Sequence, residues 1–173
     1  RPHRPPRRGR AGSLPLPAPP GDPAELIDFP TRDVAGGLPL HADPPRPVRT
    51  GGILRRRRLP VRPAAGAGFG TCYLAGHPLG AFVEKFGRLR VVPRALVDQH
   101  SIASVRVPSP VRVADVTDRT IVGRWHLSAE LSAGDDHEGS RRWAHRLHQA
   151  GFAGIWYSAA HDVRGGFHSL ALF

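Results

Sequence analysis

Three polar side chains in the second half of the chain have the types and settings that chemistry on an organic ligand would need. Glu84 follows Phe82 and Val83 in a predicted helix, where its carboxylate would lie partly out of water and its charge would be costly unless used or paired. Tyr73, in a predicted strand, offers a ring that could stack on a planar ligand. Ser158 follows a predicted strand and could hydrogen-bond a phosphate or a hydroxyl group.

Each of these residues also has a structural interpretation. Glu84 next to Lys85 fits the solvated face of a helix, where glutamates are common. Tyr73 fits an ordinary core tyrosine, and Ser158 fits a loop serine. The residues alone leave both interpretations open.

Histidines and arginines supply further candidates that the sequence favours less. His145 and His148 lie one turn apart, but no Asp or Glu completes a ligand set at helical spacing, so no metal site is predicted. Four further histidines, His126, His137, His161 and His168, do not change this prediction. The run from Arg55 to Arg58 could contact phosphate or nucleic acid, although a solvated charge run is the favoured interpretation.

The elements that must position these residues follow from hydrophobic spacing. Two helices are predicted, at 78–86 with Pro78 in the first turn and at 140–150 with Ser140 as N-cap and Gly151 as the stop. Short apolar runs predict strands at 72–75, 89–92, 105–107, 111–113, 155–157 and 169–173. Strands and helices in this mixture predict an α+β fold with short strands and peripheral helices.

The N-terminal part has a different composition. Residues 1–66 hold 15 of the 19 prolines and 13 of the 24 arginines, so little regular structure is predicted there. We expect residues 1–23 to form a disordered Arg/Pro-rich tail and residues 24–173 to form one domain, because the chain length suits a single core.

The net charge of +11 would ordinarily suggest a polyanion as partner. However, Lys85 is the only lysine, and Asn and Met are absent, which is the bias expected from a GC-rich gene and makes nucleic acid a less favoured partner. The absence of Met also leads us to expect that the sequence is a fragment or that its start has been misplaced. A single cysteine, Cys72, and the lack of a long apolar run predict a cytoplasmic protein without a membrane span.

Several stretches in order resemble the RES-domain family, which is named for an arginine, a glutamate and a serine. They are Gly-Thr-Cys-Tyr-Leu-Ala at 70–75, Ala-Phe-Val-Glu at 81–84, the run from Trp143 to Tyr157, and Ser-Leu-Ala-Leu-Phe at 169–173. The resemblance covers 67–173 continuously and extends weakly to 28–37. It implies a compact fold related to ADP-ribosyltransferases and an activity that cleaves the nicotinamide–ribose bond of NAD.

The resemblance also implies roles for individual residues. Glu84 and Ser158 would be catalytic, and Tyr73 would line the NAD pocket. An arginine would bind the pyrophosphate or the attacking phosphate, because its planar fork contacts two oxygens at once. NAD would be a substrate rather than a cofactor, with phosphate or water as acceptor. The implied protein partners are an Xre-type antitoxin and a second copy of the chain.

Two departures from the family pattern bear on activity. The family serine usually follows the tyrosine by two residues, a position that Ala159 occupies here, whereas Ser158 comes one residue early and could point away. Residues 42–66 match nothing in the family, and no arginine can be carried over. We hypothesise that 42–66 is translated out of frame, since a one-base shift can restore family-like words there; the DNA sequence would decide this.

Two other functions therefore remain as alternatives to an NAD-cleaving enzyme. A non-catalytic remnant could retain the fold and still bind an antitoxin. An Arg-rich nucleic-acid binder would show binding that falls steeply with salt and is lost without residues 1–66.

Overall fold

The computed structural model describes residues 15–42, 68–127, 130–133, 136–159, 162 and 166–173. Seven strands lie in these ranges: β1 Thr31–Val34, β2 Pro39–Ala42, β3 Cys72–Ala75, β4 Ala103–Arg106, β5 Val111–Asp115, β6 Gly154–Ser158 and β7 His168–Leu172. The helices are α1 Pro78–Phe86, α2 Arg94–Val97, α3 Thr120–Trp125, α4 Glu130–Ala133 and α5 His137–Gln149, with a 3₁₀ turn at Pro23–Leu26. The predicted α+β fold is confirmed.

The described strands form one mixed sheet in the order β1-β5-β6-β7-β3-β2-β4. Neighbouring strands are antiparallel except β5 and β6, which are parallel. The parallel pair requires a long crossover, and the chain makes it through α3, α4 and α5. β7 lies inside the sheet, between β6 and β3.

Two short connections bend this sheet back on itself. β1 and β2 belong to opposite ends of the strand order, yet the connection between them is only 35–38; β4 and β5 are joined in the same way by 107–110. The two connections touch, because the Gly37 amide donates to the Val107 carbonyl at 2.9 Å. The sheet therefore has one concave face, which we call the inner face, and one outer face that carries helices.

Alternation of side chains assigns residues to the two faces. The inner face packs a core of aliphatic side chains around Trp156, which comprises Val34, Leu40, Leu74, Val107, Val113 and Leu170. The helical face buries Ile155 and Ala114 under Trp143 and Leu147 of α5. Each central strand thus contributes side chains to two cores, one on each face of the sheet.

α5 begins one turn earlier than the sequence predicts. Its N-cap is Asp136, whose carboxylate accepts from the Gly139 amide at 2.8 Å, so the predicted N-cap Ser140 is wrong. Ser140 lies inside the helix and its hydroxyl donates to the carbonyls of Leu131 and Asp136. The predicted stop is confirmed, because Gly151 follows the helix with φ +86°, a conformation that favours glycine.

The N-terminal region is more ordered than its composition suggests. Within the stretch predicted to be a tail, Leu16 is buried against α5 and its amide donates to Asp136 at 3.1 Å, while the Pro17 carbonyl accepts from the Trp143 indole at 2.8 Å. β1 and β2 also form inside the region where little regular structure is predicted, because β5 and β4 supply the hydrogen bonds that the local sequence does not demand. Residues 1–14 lie outside the described residues.

The region after α1 departs from the prediction as well. No strand forms at 89–92, where Leu89 and Val91 are exposed and the chain bends into α2. An alternating apolar pattern needs a partner strand to become part of a sheet, and this segment has none among the described residues. The divergent segment 42–66 lies outside the described residues except for Ala42, so the frame hypothesis and the predicted domain limits stay predictions.

The N-terminus of α1 offers a test of local stability. His77 is its N-cap, and the imidazole Nδ1 accepts from the Leu79 amide at 3.1 Å while the ring stacks on Phe167. We expect His77→Ala to lower the free energy of unfolding by about 1 kcal/mol, because an amide at the helix start loses its acceptor. In urea unfolding, His77→Asp should retain most of the cap; equal stability of the wild type and His77→Ala would contradict the capping role.

Among the described residues, no helix has the length and apolar character needed to cross a membrane.

Candidate functional site

Glu84 lies on the side of α1 that faces the sheet. Helical spacing places it one turn after Gly80 and Ala81, both buried, and Gly80 packs against Ala75 of β3. The side chain of Glu84 is partly buried, in contrast to its exposed neighbour Lys85. The solvated-face interpretation of Glu84 is therefore wrong, and its carboxylate points towards the helical face of the sheet.

The carboxylate of Glu84 meets a serine of the central strand β7. The Ser169 hydroxyl donates to Glu84 Oε1 at 3.2 Å. Ser169 is fully buried, and apart from aromatic side chains the only other buried polar or charged side chain among the described residues is Asp115. A buried hydroxyl without a partner would cost roughly 1–3 kcal/mol, so the contact with Glu84 satisfies a group that the core would otherwise penalise.

Two tyrosines lie on the same face as Ser169. Tyr157 is directly opposite Ser169 in the β6–β7 ladder, and the two hydroxyls interact by hydrogen bonding. Tyr73 of β3 pairs with Ala171, two residues along β7 from Ser169, so it projects from the same side. Glu84, Ser169 and the two phenols therefore form one cluster, which we call the Glu84 cluster.

Burial and the negative charge of Glu84 both raise the pKa values of the phenols in this cluster. Burial raises the pKa of the Tyr157 hydroxyl well above its ordinary value, and the negative charge of Glu84 raises it further. The pKa of Tyr73 is also raised, by burial and then by Glu84, while the positive charge of Arg141 lowers it. The ring of Tyr73 is nevertheless 51% exposed, so it can contact a ligand.

The predicted serine lies elsewhere. Ser158 ends β6 and is exposed, and it is paired with His168. Because Ser158 follows Tyr157 directly, its side chain projects from the face of the sheet opposite to the Glu84 cluster. The structure thus brings Glu84 and Tyr73 together but does not bring Ser158 to them; the catalytic role of Ser158 stays a prediction.

Two arginines bear on the question of a cationic group. Arg32 of β1 lies on the inner face, where its Nε contacts the Asp115 carboxylate at 2.8 Å and its guanidinium covers the Trp156 ring at 5.1 Å. That position is across the sheet from Glu84. Arg141 of α5 is exposed on the helical face, and its charge reaches Tyr73. Arg141 is therefore a cation that could serve a ligand beside the Glu84 cluster.

Asp115 is a charged residue that the sequence interpretation missed, and its role is structural. Its carboxylate accepts from Arg32 and from the amide and hydroxyl of Thr117, which fixes the chain where it leaves β5. A buried carboxylate is tolerated when it is paired and hydrogen-bonded in this way. In the parts of the chain that the structure describes, no group of three His, Cys, Asp or Glu side chains could hold a metal ion.

The raised pKa of Tyr157 predicts how stability depends on pH. An unfolded tyrosine releases its proton near pH 10, whereas folded Tyr157 keeps it. Stability should therefore be unaffected by this group below about pH 10 and fall above it by about 1.4 kcal/mol per pH unit.

Urea unfolding of the wild type and of Tyr157→Phe, from about pH 8 to pH 11, measures this effect. The variant should lose less stability above about pH 10 than the wild type, even though it starts from a lower value at neutral pH because a hydrogen bond is gone. Parallel curves for the two proteins would contradict the assignment.

One family of known proteins matches the part of the chain that contains the candidate site. The family described as RES domain matches residues 32–173, which include the described strands except the first residue of β1, and the whole Glu84 cluster. No curated protein and no solved structure matches the chain.

Proposed function

The chain belongs to the RES-domain family, and on that premise we propose that it cleaves the bond between nicotinamide and ribose in NAD. The acceptor is phosphate or water, as the resemblance to NAD-degrading members of that family implies. The observation that carries the proposal is the Glu84 carboxylate, which meets a buried hydroxyl beside two tyrosines on one face of the sheet.

The chemistry suits a fixed carboxylate. When the bond between C1′ of the ribose and the nicotinamide nitrogen breaks, its electron pair leaves with nicotinamide and C1′ becomes electron-poor. Glu84 stabilises that developing positive charge directly or by orienting the ribose hydroxyls. An oxygen of phosphate or water then bonds to C1′, and in the case of water a proton is released.

The surroundings of Glu84 supply the remaining contacts that we propose. The half-exposed ring of Tyr73 stacks on a planar part of NAD. Arg141, whose charge acts on Tyr73, binds an anionic oxygen of the pyrophosphate or of the attacking phosphate. Ser169 remains buried beneath and holds the carboxylate, and Tyr157 lies buried beside it.

Incubation of the purified protein with NAD tests the proposal. We expect NAD to disappear, with free nicotinamide as one product by chromatography. Adding inorganic phosphate separates the acceptors, because phosphorolysis yields a phosphorylated ADP-ribose and hydrolysis yields ADP-ribose itself. NAD that stays intact with and without phosphate would contradict the proposal.

A second candidate is a non-catalytic RES domain that keeps the fold and binds a partner. It is favoured by one observation: Ser158 leaves the sheet on the face opposite to Glu84. Such a protein would leave NAD intact and would still bind an Xre-type antitoxin or a second copy of itself, two partners that we propose for the enzyme as well. A cytoplasmic location fits either candidate.

Nucleic acid is the least favoured partner. The residues that the structure describes carry as many acidic as basic side chains, so the excess positive charge of the chain belongs to the other segments. The described domain therefore has no net charge with which to attract a polyanion at long range.

A further inference from the structure

We infer that Ser169 is a positioning residue for Glu84 and that it fills the place for which the sequence suggests Ser158. The inference rests on the proposed function in one respect only, which is that the Glu84 carboxylate is the reacting group. The coupling between Ser169 and Glu84 itself stands on the geometry.

The Ser169 hydroxyl directs its proton at the Glu84 carboxylate. Ser169 has one hydroxyl proton, and it is donated to Glu84 Oε1 at 3.2 Å. The serine therefore acts on the carboxylate as a donor, and the carboxylate can only accept.

The core around β7 does not require a serine at position 169. Ser169 is fully buried in β7, whose next residues Leu170 and Ala171 are also buried and apolar. Alanine or valine would fill the same place in a central strand without a polar group to satisfy. A buried serine aimed at a carboxylate 85 residues away in sequence is better explained by what it does to that carboxylate.

Ser158 and Ser169 differ in the face of the sheet from which they project. Ser158 of β6 and Ser169 of β7 lie on paired strands. Ser158 is opposite His168, and its side chain projects from the inner face of the sheet. Ser158 cannot contact Glu84 without a change of strand register, because a shift by one residue is what exchanges the faces. Ser169 already makes the contact.

The test measures the carboxyl group directly. In protein labelled with ¹³C at glutamate, the Glu84 carboxyl carbon is titrated by NMR in the wild type, Ser169→Ala, Ser158→Ala and Ser104→Ala. Removing a hydrogen bond to a charged group favours the protonated carboxyl, so the Glu84 midpoint should rise by about one pH unit in Ser169→Ala. Exposed Ser104 of β4 is the control, and its variant should titrate as the wild type does.

The NAD assay provides the second readout. We expect kcat to fall about tenfold in Ser169→Ala with KM nearly unchanged, because a misplaced carboxylate weakens the transition state more than substrate binding. Ser169→Cys should give a smaller change of the same kind, because a thiol of similar size is a weaker donor, and it keeps the inference testable if Ser169→Ala does not fold.

The outcomes are distinguishable. An unchanged Glu84 midpoint in both Ser169→Ala and Ser169→Cys would overturn the inference, as would a larger shift in Ser158→Ala than in Ser169→Ala. A wild type that leaves NAD intact would overturn the proposed function, and the carboxyl titration would still decide whether Ser169 positions Glu84.

Discussion

Replacement of Glu84 by glutamine is expected to reduce NAD cleavage by at least about 100-fold while the protein stays folded. The carboxylate is the negative charge that the structure directs at the helical face, where Ser169 donates to it. Glutamine keeps the size and one oxygen but removes the charge, so the electron-poor C1′ loses its electrostatic partner. The loss should appear in kcat more than in KM, because the charge on C1′ develops only in the transition state.

Initial rates of nicotinamide release from the wild type and Glu84→Gln measure this effect. Glu138→Gln is a matched control, because Glu138 is exposed in the first turn of α5 and its substitution removes the same charge. Thermal unfolding of both variants separates a catalytic loss from a folding loss. Full activity in Glu84→Gln would show that the reaction does not depend on this carboxylate.

Replacement of Gly154 by alanine is expected to destabilise the domain by about 3 kcal/mol. Gly154 begins β6 opposite Leu172, and a Cβ added there would collide with the Ala171 carbonyl oxygen and lie 3.1 Å from the Leu172 Cα. These are backbone atoms of the neighbouring central strand. No side-chain rotation can relieve the collision, so β6 and β7 would have to separate.

Gly123 provides the matched control for this substitution. It lies within α3, and a Cβ built on it has no heavy atom within 4 Å. Gly123→Ala should therefore raise the free energy of unfolding by about 0.5–1 kcal/mol, because glycine is entropically costly inside a helix. Urea unfolding at neutral pH measures both variants. Similar changes in the two proteins would mean that the close approach of β6 to β7 is not what requires glycine.

The parts of the fold that the sequence predicted are those with strong local signals. The helix at 78–86 and the strand at 72–75 were found at their observed bounds, because Pro78 and the apolar spacing mark them without help from elsewhere. β1 and β2 were missed, since four-residue strands in a Pro-rich region exist only through pairing with β5 and β4. Pairing partners distant in sequence leave no local mark.

The start of α5 shows a different limit. Asp136 and Ser140 both suit an N-cap, and local sequence does not choose between them. The choice is made by Leu16, whose amide also binds the Asp136 carboxylate from 120 residues away. The position of the α5 N-cap thus depends on a tertiary contact and not on local sequence alone.

The residues of the candidate site also differ in whether the sequence alone could predict them. Glu84 and Tyr73 could be proposed from sequence, because their motifs are continuous. Ser169 and Arg141 could not, since their relation to Glu84 and Tyr73 depends on the order of strands and on how α5 crosses the sheet. The sequence does contain one signal for Ser169. A single hydroxyl among apolar residues in a predicted strand needs a hydrogen-bond partner inside the core.

The place of β7 in the sheet also has a consequence for biosynthesis. It is the last of the strands to leave the ribosome, yet β3 and β6 are joined only through it. Until residues 168–172 are made, both of those strands present unpaired edges, and Glu84 has no Ser169 to meet. The domain must therefore complete its folding late, and a nascent chain held short of this strand should be inactive and prone to aggregate.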